Sequence, residues 1–184
     1  MVNNSQLQKI VSVIKNKYIC PNQNVVEEIG MSNGKRFHMK REVCCSRNVE
    51  YTLMRFAPND ETLFPYFDEI EGLHKICDYI LFAENNDSIY VFLIELKKDN
   101  GSPLKQLDIS ESFVHFIIER AKYVNEEVTK EVHIRKVGVK DTTSTKMVTN
   151  CFRKISYDQN RYLLMQSNFT KLHLDFLIDA PIKE

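Results

Sequence analysis

The run from Ile89 to Lys97, Ile-Tyr-Val-Phe-Leu-Ile-Glu-Leu-Lys, is apolar on both faces of an extended chain until it closes on a glutamate and a lysine. A strand with apolar side chains on each face must be covered from both sides, which places it at the centre of a layered sheet. Upstream, Ile76 to Phe82 alternates with the strand period: Ile76, Asp78, Ile80 and Phe82 lie on one side, Cys77, Tyr79 and Leu81 on the other. The polar stretch from Glu84 to Ser88 joins the two runs into a predicted hairpin. Beyond it, Asp99-Asn100-Gly101 stops the second strand. Ser102 then offers an N-cap and Pro103 occupies the first helical position. Leu104, Leu107, Val114, Ile117, Ile118 and Ala121 form the apolar stripe of a helix predicted to reach about Lys122.

The flanks are less regular. Leu7, Ile10, Val11 and Ile14 predict an amphipathic helix over Gln6 to Lys17, broken by Pro21. Residues 25–57 show no clean period, although Met31 to Lys35 reads as a turn and Tyr51 to Phe56 as a short strand or helix. Asp60 or Thr62 caps a predicted helix through Ile70. Strands are expected over Val132 to Val139, Arg161 to Gln166 and Lys171 to Ile178, the last with Leu172, Leu174, Phe176 and Ile178 alternating. This order predicts an α/β domain, a mixed sheet flanked by helices. A chain of 184 residues suits one domain, 1–184, with 1–57 as an N-terminal helical elaboration and 58–184 as the core.

Composition removes several classes. With 43% hydrophobic and 27% charged residues, the chain is neither disordered nor fibrous. No apolar run approaches the ~20 residues of a membrane span, and Met1 to Gln6 lacks a signal-peptide pattern, so no membrane and a cytoplasmic location are expected. Cys20, Cys44, Cys45, Cys77 and Cys151 are an odd, irregular set, read as free thiols; His38, Cys44 and Cys45 depart from zinc-site spacing. Neither a phosphate loop nor a dinucleotide fingerprint is present. Twenty-five basic and twenty-five acidic residues cancel, which argues against binding nucleic acid through overall charge. Two local stretches are basic. One covers 35–47; the other runs from Lys130 to Lys154, in which Lys136, Lys140, Arg153 and Lys154 are candidate phosphate contacts.

The chemistry is concentrated in Asp78 and Glu95-Leu96-Lys97 on the predicted hairpin. Period two puts Glu95 and Lys97 on one face, and a carboxylate at a buried sheet costs several kcal/mol unless it is paired or binds a cation. Asp78 and Glu95, with the Leu96 carbonyl, suit Mg²⁺ (or Mn²⁺), a hard cation that takes oxygen ligands and keeps several waters. Lys97 would then orient a water and stabilise charge growing on a phosphate. The other reading of the same residues is an Asp78–Lys97 ion pair with Glu95 solvated. An E-x-K triplet alone is weak evidence, since roughly half of chains this long contain one by chance. This one is the only E-x-K in the chain, ends its most hydrophobic strand and precedes a capped helix.

The stretch HKICDYILFAENNDSIYVFLIELKKDNGSPLKQL resembles the core of the PD-(D/E)xK nuclease superfamily, the restriction-endonuclease-like proteins. The resemblance implies that fold, with Asp78 and Glu95 as metal ligands, Lys97 as the catalytic lysine and Gln106 as a polar helix residue facing the site. Cys77 stands where the family's proline often stands. An acidic residue on the first core helix is also common in the family; Glu50 and Glu71 are the candidates here. By the same resemblance the chain is expected to be a Mg²⁺-dependent nuclease cutting DNA or RNA, of a kind that often serves bacterial defence against foreign nucleic acid. A protein partner or homo-oligomer would supply targeting. The competing expectations are an inactive interaction subunit of the same fold and an enzyme of small nucleotides.

Overall fold

The computed structural model describes residues 5–32, 34–56, 64–68, 70, 72–98, 101–140, 155–157, 163–166 and 170–180. Along the chain, α1 (Gln6–Val11) and a 3-10 turn (Asn16–Tyr18) lead into β1 (Val25–Ser32), β2 (Lys35–Cys44) and β3 (Glu50–Met54). Next come β4 (Tyr79–Glu84), β5 (Ser88–Lys97), α2 (Leu104–Val124) and β6 (Glu131–Lys140). The described elements end with β7 (Ile155–Tyr157), β8 (Leu163–Gln166), β9 (Lys171–His173) and α3 (Leu174–Asp179).

The doubly apolar run is β5, inside a six-stranded mixed sheet of order β3-β4-β5-β6-β8-β7. β3, β4 and β5 form an antiparallel meander, and β6 lies parallel to β5. Parallel neighbours need a crossover connection, which α2 provides. Alternation along β5 divides its side chains between two cores. Ile89, Val91 and Leu93 pack with Leu107, Val114 and Ile118 of α2 and with Leu7 and Ile10 of α1. Phe92, Ile94 and Leu96 face the other way, towards Leu172, Leu174 and Leu177. That second side also receives Val26, Met39 and Val43 from a three-stranded sheet, β1-β2-β9. The chain is therefore mixed α/β, with the central strand covered on both faces. Among the described residues, no helix is long and apolar enough to cross a membrane.

Several expectations are corrected. The N-terminal region is not mainly helical: it contributes one short helix and three strands, and β3 joins the large sheet. α1 stops at Val11, and the following residues turn so that the Tyr18 carbonyl accepts the Arg55 N–H at 2.9 Å. Ile76 to Asp78 are not in the β4 ladder; the Cys77 and Asp78 amides serve side-chain partners, described below. Residues 64–68 form turns instead of a helix, and Asp60 and Thr62 lie outside the described residues. Lys171 to Ile178 is a three-residue strand running into α3. Leu174, Leu177 and Ile178 also fit helical spacing, and burying all three against the sheet defeats the alternation read from sequence.

The end of β4 secures α1. The Glu84 carboxylate accepts the Ser5 hydroxyl at 2.6 Å and the Leu7 N–H at 2.8 Å, and pairs with Lys130 at 2.8 Å. Burial alone would raise the Glu84 carboxyl, but these hydrogen bonds outweigh it and hold it below the ordinary range. Hydrogen bonds to a charged group contribute about 1.5–3 kcal/mol. Glu84→Ala is expected to cost about 3 kcal/mol in urea unfolding at pH 7, and less as pH falls through the lowered value of the wild-type carboxyl. A loss under 1 kcal/mol would show that α1 docks through its apolar face alone.

Candidate active site

Asp78 is the last residue before β4, and Glu95 and Lys97 are the last inward-facing residues of β5. They meet because the two strands are antiparallel: Tyr79 is in register with Ile94, so Asp78 falls opposite Glu95. At this point side chains replace the ladder. The Asp78 N–H donates to Glu95 Oε2 at 3.1 Å, and the Leu96 N–H donates to Asp78 Oδ2 at 2.7 Å. The preceding Cys77 N–H donates to the Ser110 hydroxyl at 2.8 Å, and that hydroxyl donates to the Gln106 carbonyl at 2.6 Å. Thus α2 fixes the position of the segment that carries Asp78.

The lysine is held from two sides. Lys97 Nζ pairs with Glu95 Oε1 at 2.6 Å and donates to Gln106 Oε1 at 2.8 Å. Gln106 therefore reaches the cluster, as expected, but its contact in this structure is the lysine ammonium. Glu95 is only 1% exposed, whereas Lys97 keeps a quarter of its side chain in solvent. That burial rules out a solvated Glu95 beside an Asp78–Lys97 pair. The acid that interacts most closely with the lysine is Glu95.

Burial, and then the neighbouring Asp78 charge, push the Glu95 carboxyl up to about 8 against the opposing Lys97 ammonium. Burial also raises Asp78, with the Leu96 N–H, Lys97 and Arg55 acting in the other direction. Two buried carboxyls with raised proton affinity form a site that is electrostatically short of positive charge. Among the described residues, no three His, Cys, Asp or Glu side chains gather as a metal-holding group, so the described protein donors here are two carboxylates. A cation that keeps most of its waters suits so small a donor set, which fits Mg²⁺ better than zinc.

The raised values carry a sign. The folded protein holds protons that the unfolded chain releases above about 4.5, so these carboxyls destabilise the fold progressively as pH rises from 4.5 towards 8. Removing one charge relieves the pair. Without metal, Asp78→Asn is expected to gain melting temperature relative to wild type across that window, by several degrees at pH 8. Addition of Mg²⁺ should narrow the gap. A difference that stays flat with pH would overturn this account of the site.

The remaining candidates divide. Lys140 is in register with Lys97 and lies on the same face of the neighbouring strand, with no ion pair among the described residues. Lys136 is engaged by Asp108 at 2.6 Å and by Glu111 at 2.7 Å, so its charge is already neutralised. In the other basic stretch, Arg41 is buried and Arg47 pairs with Asp179. Glu50 begins β3 in register with Glu84, at the opposite end of the sheet from Asp78, and α1 carries no carboxylate. Arg153, Lys154 and Glu71 lie outside the described residues. His38 bonds Glu27 while Cys45 bonds Asp175, so no zinc site joins them. Sequence reading missed Arg55, which follows β3 and acts on Asp78; a lone arginine ending an apolar strand was its only signal. No family model, curated protein or solved structure matches the chain.

Proposed function

We propose that this protein is a Mg²⁺- or Mn²⁺-dependent nuclease that hydrolyses phosphodiester bonds of DNA or RNA, built on a restriction-endonuclease-like core. The observation that carries the reading is the mutual bonding of Asp78 and Glu95, with Lys97 held beside them by Gln106. The meander β3-β4-β5, the α2 crossover and the parallel β6 support it, since they supply the covered sheet that the sequence resemblance implies.

Asp78 and Glu95, with the Leu96 carbonyl, would hold the ion. When bound, a divalent ion supplies Lewis acidity to the phosphodiester and to a water. The chain's own residues do the rest. Glu95 and Gln106 take two of the three ammonium hydrogens of Lys97, which leaves the third to orient a water or meet a phosphate oxygen. Ser110 keeps Asp78 in place through the Cys77 N–H and thereby fixes the spacing of the acids. Phosphoryl transfer asks a protein mainly for such positioning and charge stabilisation. Lys140 is the phosphate contact that the geometry supports best among those expected from sequence.

By resemblance, the proposed setting is cytoplasmic defence against foreign nucleic acid, with a protein partner or homo-oligomer providing targeting. The test combines two measurements on the full chain: calorimetric titration with Mg²⁺, and nicking of a supercoiled plasmid in Mg²⁺ against EDTA. Metal binding lost in Asp78→Asn, together with Mg²⁺-dependent nicking by the wild type, is the expected result. A wild type that neither binds Mg²⁺ nor nicks would favour an inactive interaction subunit.

A further inference from the structure

At the end of the sheet where β4 begins, on the Tyr79 face opposite to the one that carries Glu95 and Lys97, lies a pocket of about 310 Å³, lined by Lys17, Tyr18, Cys20, Glu27, Arg55 and Tyr79 among others. That volume is at the small end for ligand pockets, suited to one nucleotide unit. Three features set its position. Tyr79 follows Asp78 directly, and its hydroxyl donates to the Glu27 carbonyl at 2.8 Å, which fastens β1 over the start of β4. The Arg55 guanidinium carbon sits 5.5 Å from the centre of the Tyr79 ring. Arg55 itself is one residue past Met54, whose register partner is Ile80, so it leaves the sheet at the same end as Asp78.

The charge of this arginine favours the ionised form of Asp78 through space. Arg55 makes no ion pair among the described residues, although it is partly buried at a pocket wall. The nearby acid of the pocket, Glu27, is bonded to His38 at 3.0 Å. A guanidinium with five donors, steadied on a ring and facing a cavity, is a ready partner for a phosphate. The wider layout agrees. Across β3, β4, β5 and β6, at about 4.8 Å per strand, the sheet end presents Arg55, then Asp78, then Glu95 with Lys97, then Lys140. Lys140 shares the face of Glu95 and Lys97, whereas Arg55 reaches the sheet end from the Tyr79 face, close enough for its charge to act on Asp78.

We propose that the Arg55 pocket is a subsite for a polynucleotide phosphate next to the scissile one. This rests on the nuclease reading for the identity of the neighbouring chemistry, and it assigns Arg55 to substrate binding. Lys17, 4.8 Å over the Tyr18 ring, is a second cationic residue of the pocket lining. Glu27 opposes it and sets the sign of a second test.

Fluorescence anisotropy with a labelled single-stranded DNA oligonucleotide, in EDTA over a series of salt concentrations, decides the matter. Arg55→Gln is expected to weaken binding about 5–10-fold and to lower the salt slope by about 0.7, the value for one lost contact to a single strand. Arg55→Lys should keep the slope while losing part of the affinity, and Glu27→Gln should tighten binding at least 2-fold. The last two variants keep the test valid if Arg55→Gln folds poorly by thermal melt. Unchanged affinity and slope in a folded Arg55→Gln protein would overturn the subsite and leave the nuclease reading to plasmid nicking. Arg55-dependent binding by a protein that never nicks would uphold the subsite and sink the nuclease reading. A wild type that binds no oligonucleotide would overturn the subsite.

Discussion

On the proposed nuclease reading, nicking of supercoiled plasmid in Mg²⁺ is expected to fall at least a thousandfold in Asp78→Asn and Glu95→Gln, and a hundred- to a thousandfold in Lys97→Ala. A thousandfold is about 4 kcal/mol of transition-state stabilisation. For the two acids this is the cost of losing half of a two-carboxylate donor set, because neither replacement amide can supply the missing charge. For Lys97 it is the range seen when one preorganised donor is removed from a developing anion. The folds should survive. Asparagine at position 78 keeps an oxygen for the Leu96 N–H, and a glutamine at position 95 keeps one for the Asp78 N–H. In Lys97→Ala the buried Glu95 can take up a proton, since burial already raises its carboxyl to about 8 with the lysine present. Gln106→Ala should be milder, about tenfold, because Gln106 acts through the lysine and Glu95 still holds Nζ. Its pH profile should shift with the rate, a change that a merely structural role would not bring. Circular dichroism and melting curves separate misfolding from lost chemistry. Full cleavage by a folded Lys97→Ala protein would remove the lysine from the mechanism and require another group to meet the phosphate.

The legible part of this protein was the part whose local pattern and tertiary environment agree. β5 is buried on both faces and reads that way, and the Asn85 turn reads as a turn because the Asn85 side chain accepts the Ser88 N–H at 2.8 Å. The helix after Pro103 follows the same logic. The β1–β2 hairpin was not legible. Its buried face alternates Phe37, Met39 and Val43 with Arg41, whose guanidinium turns back to the Lys40 carbonyl, so a charged residue interrupts the apolar signal. Alternation sets Asp78 beside Glu95 but inside a strand, whereas in the structure it stands one residue before β4. Alternation cannot register that the Asp78 and Cys77 amides are claimed by a side chain of β5 and a side chain of α2. The same limit hides Arg55, whose importance comes from its neighbours across the sheet end and from nothing adjacent in sequence.

Asp175 was also invisible to pattern reading, and its replacement by alanine is expected to cost about 3–4 kcal/mol. It sits within the stretch read as an alternating strand, on its supposed polar face, yet it is 5% exposed. Its carboxylate accepts the Ser46 N–H and the Ser46 hydroxyl, each at 2.8 Å, and the Arg47 N–H at 3.2 Å. The Cys45 thiol donates to it at 3.4 Å. One side chain thereby secures the turn between β2 and β3 to α3, which follows the strand that pairs with β2. Burial alone would raise this carboxyl, but the Ser46, Cys45 and Arg47 donors outweigh it and hold it below the ordinary range. The contribution is therefore present above about pH 4 and is lost as pH falls through the lowered value. Alanine leaves two amides and a hydroxyl without an acceptor, at about 1–3 kcal/mol for each buried group that water does not reach. For a chain of this size the loss corresponds to roughly 6–16 °C in melting temperature. Asparagine keeps one acceptor oxygen and should lose about half as much. Urea unfolding at pH 7 and at pH 3 gives the sign, because the gap between wild type and Asp175→Asn should shrink at the lower pH. A gap that persists at pH 3, or an alanine variant within 1 kcal/mol of wild type, would mean that water already serves these amides and that the apolar contacts of Leu174, Leu177 and Ile178 hold α3 by themselves.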